Sequence, residues 1–207
     1  MTYNSIRKCL IALTTILISQ FCVYGQGKKD SINDLDRTFM PTIQMGYVTH
    51  GTHELSGGLM TQTSLEYRDI SNFIFRINYD VLNSSMNLKY PIDSNVAFTG
   101  KTTFSELIIG VGYRKTFNRH NLTAYIQPGL RFYGYPNLIS ANNQVSLDYD
   151  SRNIGIVRYS LGYEYAITPK MFLTIEGLIS HTLKSKDFWA DNRWSYGATV
   201  GISAPLF

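Results

Sequence analysis

The sequence predicts an all-β protein: an eight-stranded antiparallel transmembrane β-barrel whose strands follow one another as an up-and-down meander. Three observations lead there. Residues 38–207 break into eight stretches in which apolar and polar residues alternate with the period of a strand. Tight connections alternate with long polar ones, as in a membrane barrel that has turns on one rim and loops on the other. The last stretch, SYGATVGISAPLF, stays apolar and β-patterned to Phe207, where a globular domain usually ends in a polar, frayed tail.

The N-terminus is a different object. Arg7 and Lys8 precede the apolar run CLIALTTILISQFCVYG, and polar QGKKDSINDLD follows, the layout of a secretory signal peptide. Val23 and Gly25 occupy the small-residue positions of a cleavage site, which gives a cleaved segment 1–25, a periplasmic linker 26–37 and a barrel 38–207. The run is short for a membrane-spanning helix and contains Thr, Ser and Gln. Phe21 stands where a lipoprotein anchor at Cys22 would need a small residue. Both cysteines, Cys9 and Cys22, lie in this segment, so the remaining chain offers no disulfide, thiolate metal site or cysteine nucleophile. Loss of Arg7 and Lys8 lowers the formal charge from +4 to +2. The basic residues are scattered rather than gathered into a phosphate-tracking stripe, which argues against a nucleic-acid partner.

The expected strands are 38–49, 58–68, 72–82, 102–117, 122–135, 154–167, 171–183 and 194–207. RDISN, NRHN and TPK form tight turns, whereas the segments near 83–101, 136–153 and 184–193 read as long polar loops and HGTHELSG as an intermediate one. One face of each strand is apolar: Ile43, Met45 and Tyr47 in the first, Phe73, Phe75, Ile77 and Val81 in the third, Leu107, Ile109 and Val111 in the fourth. In the last strand Trp194, Tyr196, Ala198, Val200, Ile202, Ala204 and Leu206 share this face.

The opposite face carries Glu66, Arg68, Arg76, Asp80, Glu106, Arg114, Arg131, Arg158, Glu164 and Glu176, five acids and five bases. Lone charges in a water-poor interior are costly, so a balanced set of this kind should pair across the lumen. Eight strands enclose room only for their own side chains. A soluble barrel or sandwich would invert the two faces, and strand parity alone does not distinguish them. The leader, the loop asymmetry, the terminal strand and the aromatic-rich apolar face decide for the membrane. Interface aromatics are then Tyr47, Tyr79, Phe132 and Trp194 on the outer side, and Tyr67, Phe73, Phe117 and Tyr165 on the periplasmic side.

With strands of this pattern and a final Phe207, the chain resembles the small OmpA/OmpX-like outer-membrane β-barrel family over the whole segment after the leader. The resemblance implies a location in the outer membrane after Sec-type export, contact with outer-membrane lipid, and recognition of Phe207 by the barrel assembly machinery. Phe207 is out of phase with Leu206 and Ile202, and Pro205 marks a place where a bulge could reset the phase. Tyrosine-rich stretches such as IIGVGYRKTF and RYSLGYEYAITPK resemble barrels of the Bacteroidota, among them porT-like accessory factors of protein secretion.

Catalytic and metal-binding patterns are thin. His181 faces outward near the outer end of the seventh strand, where a lipid A-processing histidine could sit. The deacylase pattern has a serine two residues on, but here that position is Leu183; Ser185 falls in the loop and Thr182 faces inward. His50, His53 and Glu54 form HGTHE, a weak metal signal without fixed geometry and better read as solvated loop residues. His120 sits in a tight turn. Glu106, Glu164 and Glu176 each have an arginine available, and Asp148, Tyr149, Asp150 and Arg152 suit a solvated recognition loop. No cofactor and no metal are expected. The leading expectation is a non-enzymatic barrel with a structural or interaction role, presenting loops or serving an envelope protein partner in a secretion complex. The alternatives are a lipid A-modifying enzyme and a narrow solute pore, the latter suggested by lumen-facing Gly110, Gly112, Gly129 and Gly162.

Overall fold

The computed structural model describes residues 38–51, 55–69, 72–89, 97–141, 144–183 and 194–206, with side chains throughout except at 87–89, 97–99, 135–141 and 144–149. Eight strands form one closed antiparallel barrel in sequence order: β1 (Thr38–His50), β2 (Gly58–Arg68), β3 (Phe73–Lys89), β4 (Ala97–Phe117), β5 (His120–Ala141), β6 (Gln144–Thr168), β7 (Met171–Thr182) and β8 (Trp194–Ser203). The seam between β8 and β1 runs from Thr42 opposite Ser203 to His50 opposite Ser195, which leaves the sheet without an edge.

Side chains alternate between lumen and exterior along the strands, apart from buried Pro41 and a register shift between Ala166 and Thr168. Phe73, Phe75, Ile77, Leu107, Ile109, Leu122, Leu161 and Val200 all face outward and are exposed, while their neighbours Ile74, Arg76, Ile108 and Thr199 are buried. Such an apolar outer belt is stable only in hydrocarbon, and closure satisfies the backbone groups that hydrocarbon cannot. The barrel therefore spans a membrane. Tight turns join β2 to β3, β4 to β5 and β6 to β7 on the rim that holds the start of β1, which places that rim in the periplasm. In the β4–β5 turn Phe117 pairs with His120, and Asn118 takes the left-handed conformation, φ 55°. Asparagine tolerates that region better than most residues.

Two segments differ from the sequence expectation. The described parts of the stretches near 83–101 and 136–153 are strand, not loop: β3 and β4 remain paired out to Lys89 opposite Ala97, and β5 and β6 out to Ala141 opposite Gln144. Polar Asn, Ser and Thr do not forbid a strand in water, because each hairpin partner satisfies the other's backbone. β4 and β5 part company above Phe104 and Tyr133, so the two ribbons rise separately from the outer rim. At the other end, β8 stops at Ser203, and Ala204 turns inward and is buried instead of continuing the outward row. The chain still donates from Ala204 N to Pro41 O (3.3 Å) and from Leu206 N to Phe39 O (2.9 Å). Phe207 and residues 1–37, including the expected leader and linker, lie outside the described residues.

Pairing of β4 with β5 lapses between Ile108 opposite Gly129 and Val111 opposite Ile126. Pro128 sits in the gap and has no N–H to donate.

Candidate functional site

The lumen is layered. At its periplasmic end Met40, Ala166 and Phe172 form a small apolar layer. Directly above lies the first charged cluster, in which Glu66 is the hub. It accepts from Arg68 Nε (2.9 Å) and Nη2 (2.6 Å), from Arg76 Nε (2.8 Å) and from the Tyr125 hydroxyl (3.0 Å). Arg68 also bonds Glu164, which accepts from Asn121 Nδ2 at 3.0 Å. Arg76 donates to Glu176 Oε2 at 2.6 Å and lies 3.9 Å from the centre of the Tyr125 ring.

The second cluster lies towards the outer side. Arg158 donates to Asp80 and Glu106 across the lumen, and Arg131 Nε donates to Glu106 at 2.6 Å and Nη1 to Thr182 at 3.2 Å. These nine charged side chains are buried. Alternation places them inside, and pairing between distant strands makes that burial tolerable. Arg114, the tenth inward charge, stands apart: it is half-buried near the periplasmic mouth and its Nε has no hydrogen-bond partner. Its strand ends three residues later, so the residue sits where the lumen opens.

Between the clusters come amides. Asn78 separates Arg76 from Asp80 along β3, Gln127 separates Tyr125 from Arg131 along β5, and Gln62 lies across from Asp80 on β2. The side-chain oxygen and nitrogen of all three are buried without a protein partner. Groups of this kind are ordinarily satisfied by internal water. The lumen-facing glycines do not widen the channel. A Cβ on Gly112 would fall 2.3 Å from the Tyr125 ring, so that ring fills the space the glycine leaves.

The outer end of the lumen holds what the sequence concealed: an apolar cap of Val48, Leu55, Met60, Leu82, Met86, Phe104, Tyr133, Ile154 and Leu178. These residues come from several strands and the segment before β2, so only the assembled register reveals them as one cluster. His50 belongs to this layer. It is not the solvated loop residue expected; it ends β1, is buried, and its Nδ1 lies 3.0 Å from Ser195 Oγ and its Nε2 3.1 Å from Ser84 Oγ. Its ring packs 6.0 Å from Phe104. A Ser–His pair can activate a nucleophile, yet both serines are only 2 % exposed within this layer. Among the described residues no three metal-ligating side chains converge. His53, Glu54 and Ser185 lie outside those residues, as do the side chains of Asp148 and Tyr149. Asp150 and Arg152 stand on the β5–β6 ribbon, 3.7 Å apart.

On the exterior, Tyr47 and Trp194 are exposed towards the outer ends of their strands, and Tyr79 and Phe132 are exposed nearer the middle of β3 and β5. Phe73 and Phe117 are exposed at the periplasmic ends, and Tyr67 and Tyr165 half-exposed. Several meet other rings: Phe39 and Tyr67 are tilted at 5.2 Å, Phe73 and Tyr113 meet edge-on at 6.0 Å, and His120 and Tyr165 are tilted at 5.3 Å. His181 packs on Trp194 at 4.5 Å, opposite it in the β7–β8 register.

Closed barrel, apolar belt, aromatic ends and a charge-filled lumen together define the class: a small eight-stranded β-barrel of the bacterial outer membrane. Solved structures agree. The chain superimposes on a major outer membrane protein from Thermus thermophilus with a TM-score of 0.61 at 11 % identity, covering 81 % of this chain and 99 % of that one. It is similar to OprG of Pseudomonas aeruginosa (TM-score 0.58, 7 % identity, 85 % and 99 % covered) and to Neisserial surface protein A (0.51, 15 %, 80 % and 96 %). At these identities the likeness is one of fold. No protein-family model matches the chain, and no curated protein does either.

Proposed function

We propose that the protein is a non-catalytic outer-membrane barrel with an interaction role, whose working surface is the pair of β-ribbons β3–β4 and β5–β6 above the outer rim. The observation that carries this reading is the lumen itself, filled with paired charges and capped by apolar layers at both ends. Such an interior supports neither solute passage nor a substrate site. The ribbons by contrast continue beyond the barrel as paired strands of largely polar sequence. A subunit of an envelope or secretion complex, of the kind the porT-like resemblance suggests, fits that arrangement, with the barrel assembly machinery as an earlier, transient partner. The lipid A-modifying alternative draws little support from His181, whose ring is engaged by Trp194.

The test is purification of the tagged protein from its native outer membrane in mild detergent, paired with bilayer recordings of the same preparation. We expect a near-stoichiometric envelope protein to be retained, to be lost on shortening of either ribbon, and the bilayer to stay silent. Step conductance from the intact barrel, or full partner retention without both ribbons, would overturn the proposal.

A further inference from the structure

Among the outward-facing strand residues with described side chains, two carry a formal charge, both on β4: Lys101 in the ribbon above the barrel and Lys115 near the periplasmic end. Lys115 is the anomaly. Across the register it pairs with Leu122, and Leu122 pairs with Tyr163, so these three form a row on the outer surface. Phe117, His120 and Tyr165 form the next row towards the rim. An ammonium on a lipid-facing wall is tolerated when its stem lies along the apolar surface and its head reaches the interface. The structure has this geometry: Lys115 Nζ lies 5.9 Å from the centre of the Phe117 ring, two residues nearer the rim.

Other donors gather there. Arg119 is exposed in the two-residue turn that follows Phe117. The exposed His120 Nδ1 lies 2.6 Å from the Tyr163 hydroxyl, and its ring packs at a tilt 5.3 Å from Tyr165, which fixes the imidazole at the membrane boundary. The described acid among the periplasmic turns, Asp69, lies on a different turn, between β2 and β3. Two cations, an imidazole and a phenol thus face the headgroup layer above the apolar Leu122. Guanidinium and ammonium groups complement a phosphate oxygen cluster, and aromatic walls pack acyl chains.

We propose that Lys115, Arg119, His120 and Tyr163 form a site for the phosphate of an anionic phospholipid in the inner leaflet, with Phe117 and Leu122 against its chains. The site ties the β4–β6 side of the rim to a particular lipid and is independent of the ribbons and the lumen.

The test uses the full barrel in mild detergent with equimolar phosphatidylglycerol and phosphatidylcholine, the retained lipids being counted by native mass spectrometry. We expect phosphatidylglycerol adducts to predominate on the native protein, the excess falling about fivefold for each cation removed in K115Q and in K115Q/R119Q. K115R should keep it, and K101Q should leave it unchanged. Equal retention of the two lipids by the native protein, an undiminished excess in K115Q/R119Q, or an equal loss in K101Q would overturn the proposal. Gel mobility without boiling reports that every variant is folded, which all three exposed positions should allow.

Discussion

Arg76→Met is the sharpest perturbation of the lumen. Arg76 is the hydrogen-bonding partner of Glu176, whose second oxygen, Oε1, has none, and it also supplies a bond to Glu66. Methionine fills much of the same volume, so the change removes charge with little cavity. It leaves Glu176 buried and uncompensated, a situation that costs about 3–5 kcal/mol. Loss of the Tyr125 contact adds about 1 kcal/mol. Glu66→Gln should cost less, about 1–3 kcal/mol, because Arg68 keeps Glu164 and Arg76 keeps Glu176. The assay is urea unfolding of the refolded barrel in lipid vesicles, with the folded fraction read from gel mobility without boiling. The decisive arm is the double variant Arg76→Met/Glu176→Gln, which removes the orphaned charge and should recover about 2 kcal/mol or more. If Arg76→Met lies within about 1 kcal/mol of the native protein, or Glu176→Gln recovers nothing, the lumen is hydrated enough to screen its charges and the interior is not held together by dry, paired ions.

Three further outcomes are expected. Leu161 is the most exposed apolar residue among the described side chains of β6, and Leu161→Arg should destabilise the inserted barrel by about 2–4 kcal/mol, whereas a ribbon substitution such as Ser151→Arg should be near neutral, measured by the same unfolding assay. A Cβ on Gly201 would meet the Ile43 carbonyl oxygen at 2.0 Å across the β1–β8 seam, so Gly201→Ala should cost about 1–3 kcal/mol and lower the refolding yield. Asn118→Gly should be neutral or slightly stabilising, whereas Asn118→Val should cost about 1–2 kcal/mol, because its φ is positive and valine resists that region.

The outward and inward rows are legible in the sequence because a period of two leaves no freedom: once Phe73 faces lipid, Ile74 and Arg76 cannot. The tight turns are legible from Asn118 and the TPK stretch for the same local reason. What alternation does not reveal is how high a ribbon continues after leaving the barrel. In water either face can be polar, so the Asn- and Ser-rich segment after Leu82 has the composition of a loop. Nor does parity tell which inward apolar residues of different strands lie at one level. Leu82, Phe104 and Tyr133 belong to the cap only because the register of three strands sets them at one level. His50 escapes a sequence reading because the glycine after it signals a turn, while its partners Ser84 and Ser195 are remote in sequence. At the far end, a proline two residues after Ser203 is a warning that the row breaks at Ala204.

The arginines that cross the lumen join the first half of the chain to the second: Arg68 to Glu164, Arg76 to Glu176 and Arg158 to Asp80. Consider a strand slid along its neighbour by two residues. Every outward side chain still faces lipid and every inward one still faces the lumen, so the hydrophobic pattern cannot tell the slipped barrel from the true one. The charges can. A slip of two on β3 would set Asn78 or Ile74 where Arg76 now meets Glu66 and Glu176, and leave carboxylates facing amides or hydrocarbon. The buried pairs thus work as a key for shear, selecting one alignment among several that the membrane alone would accept.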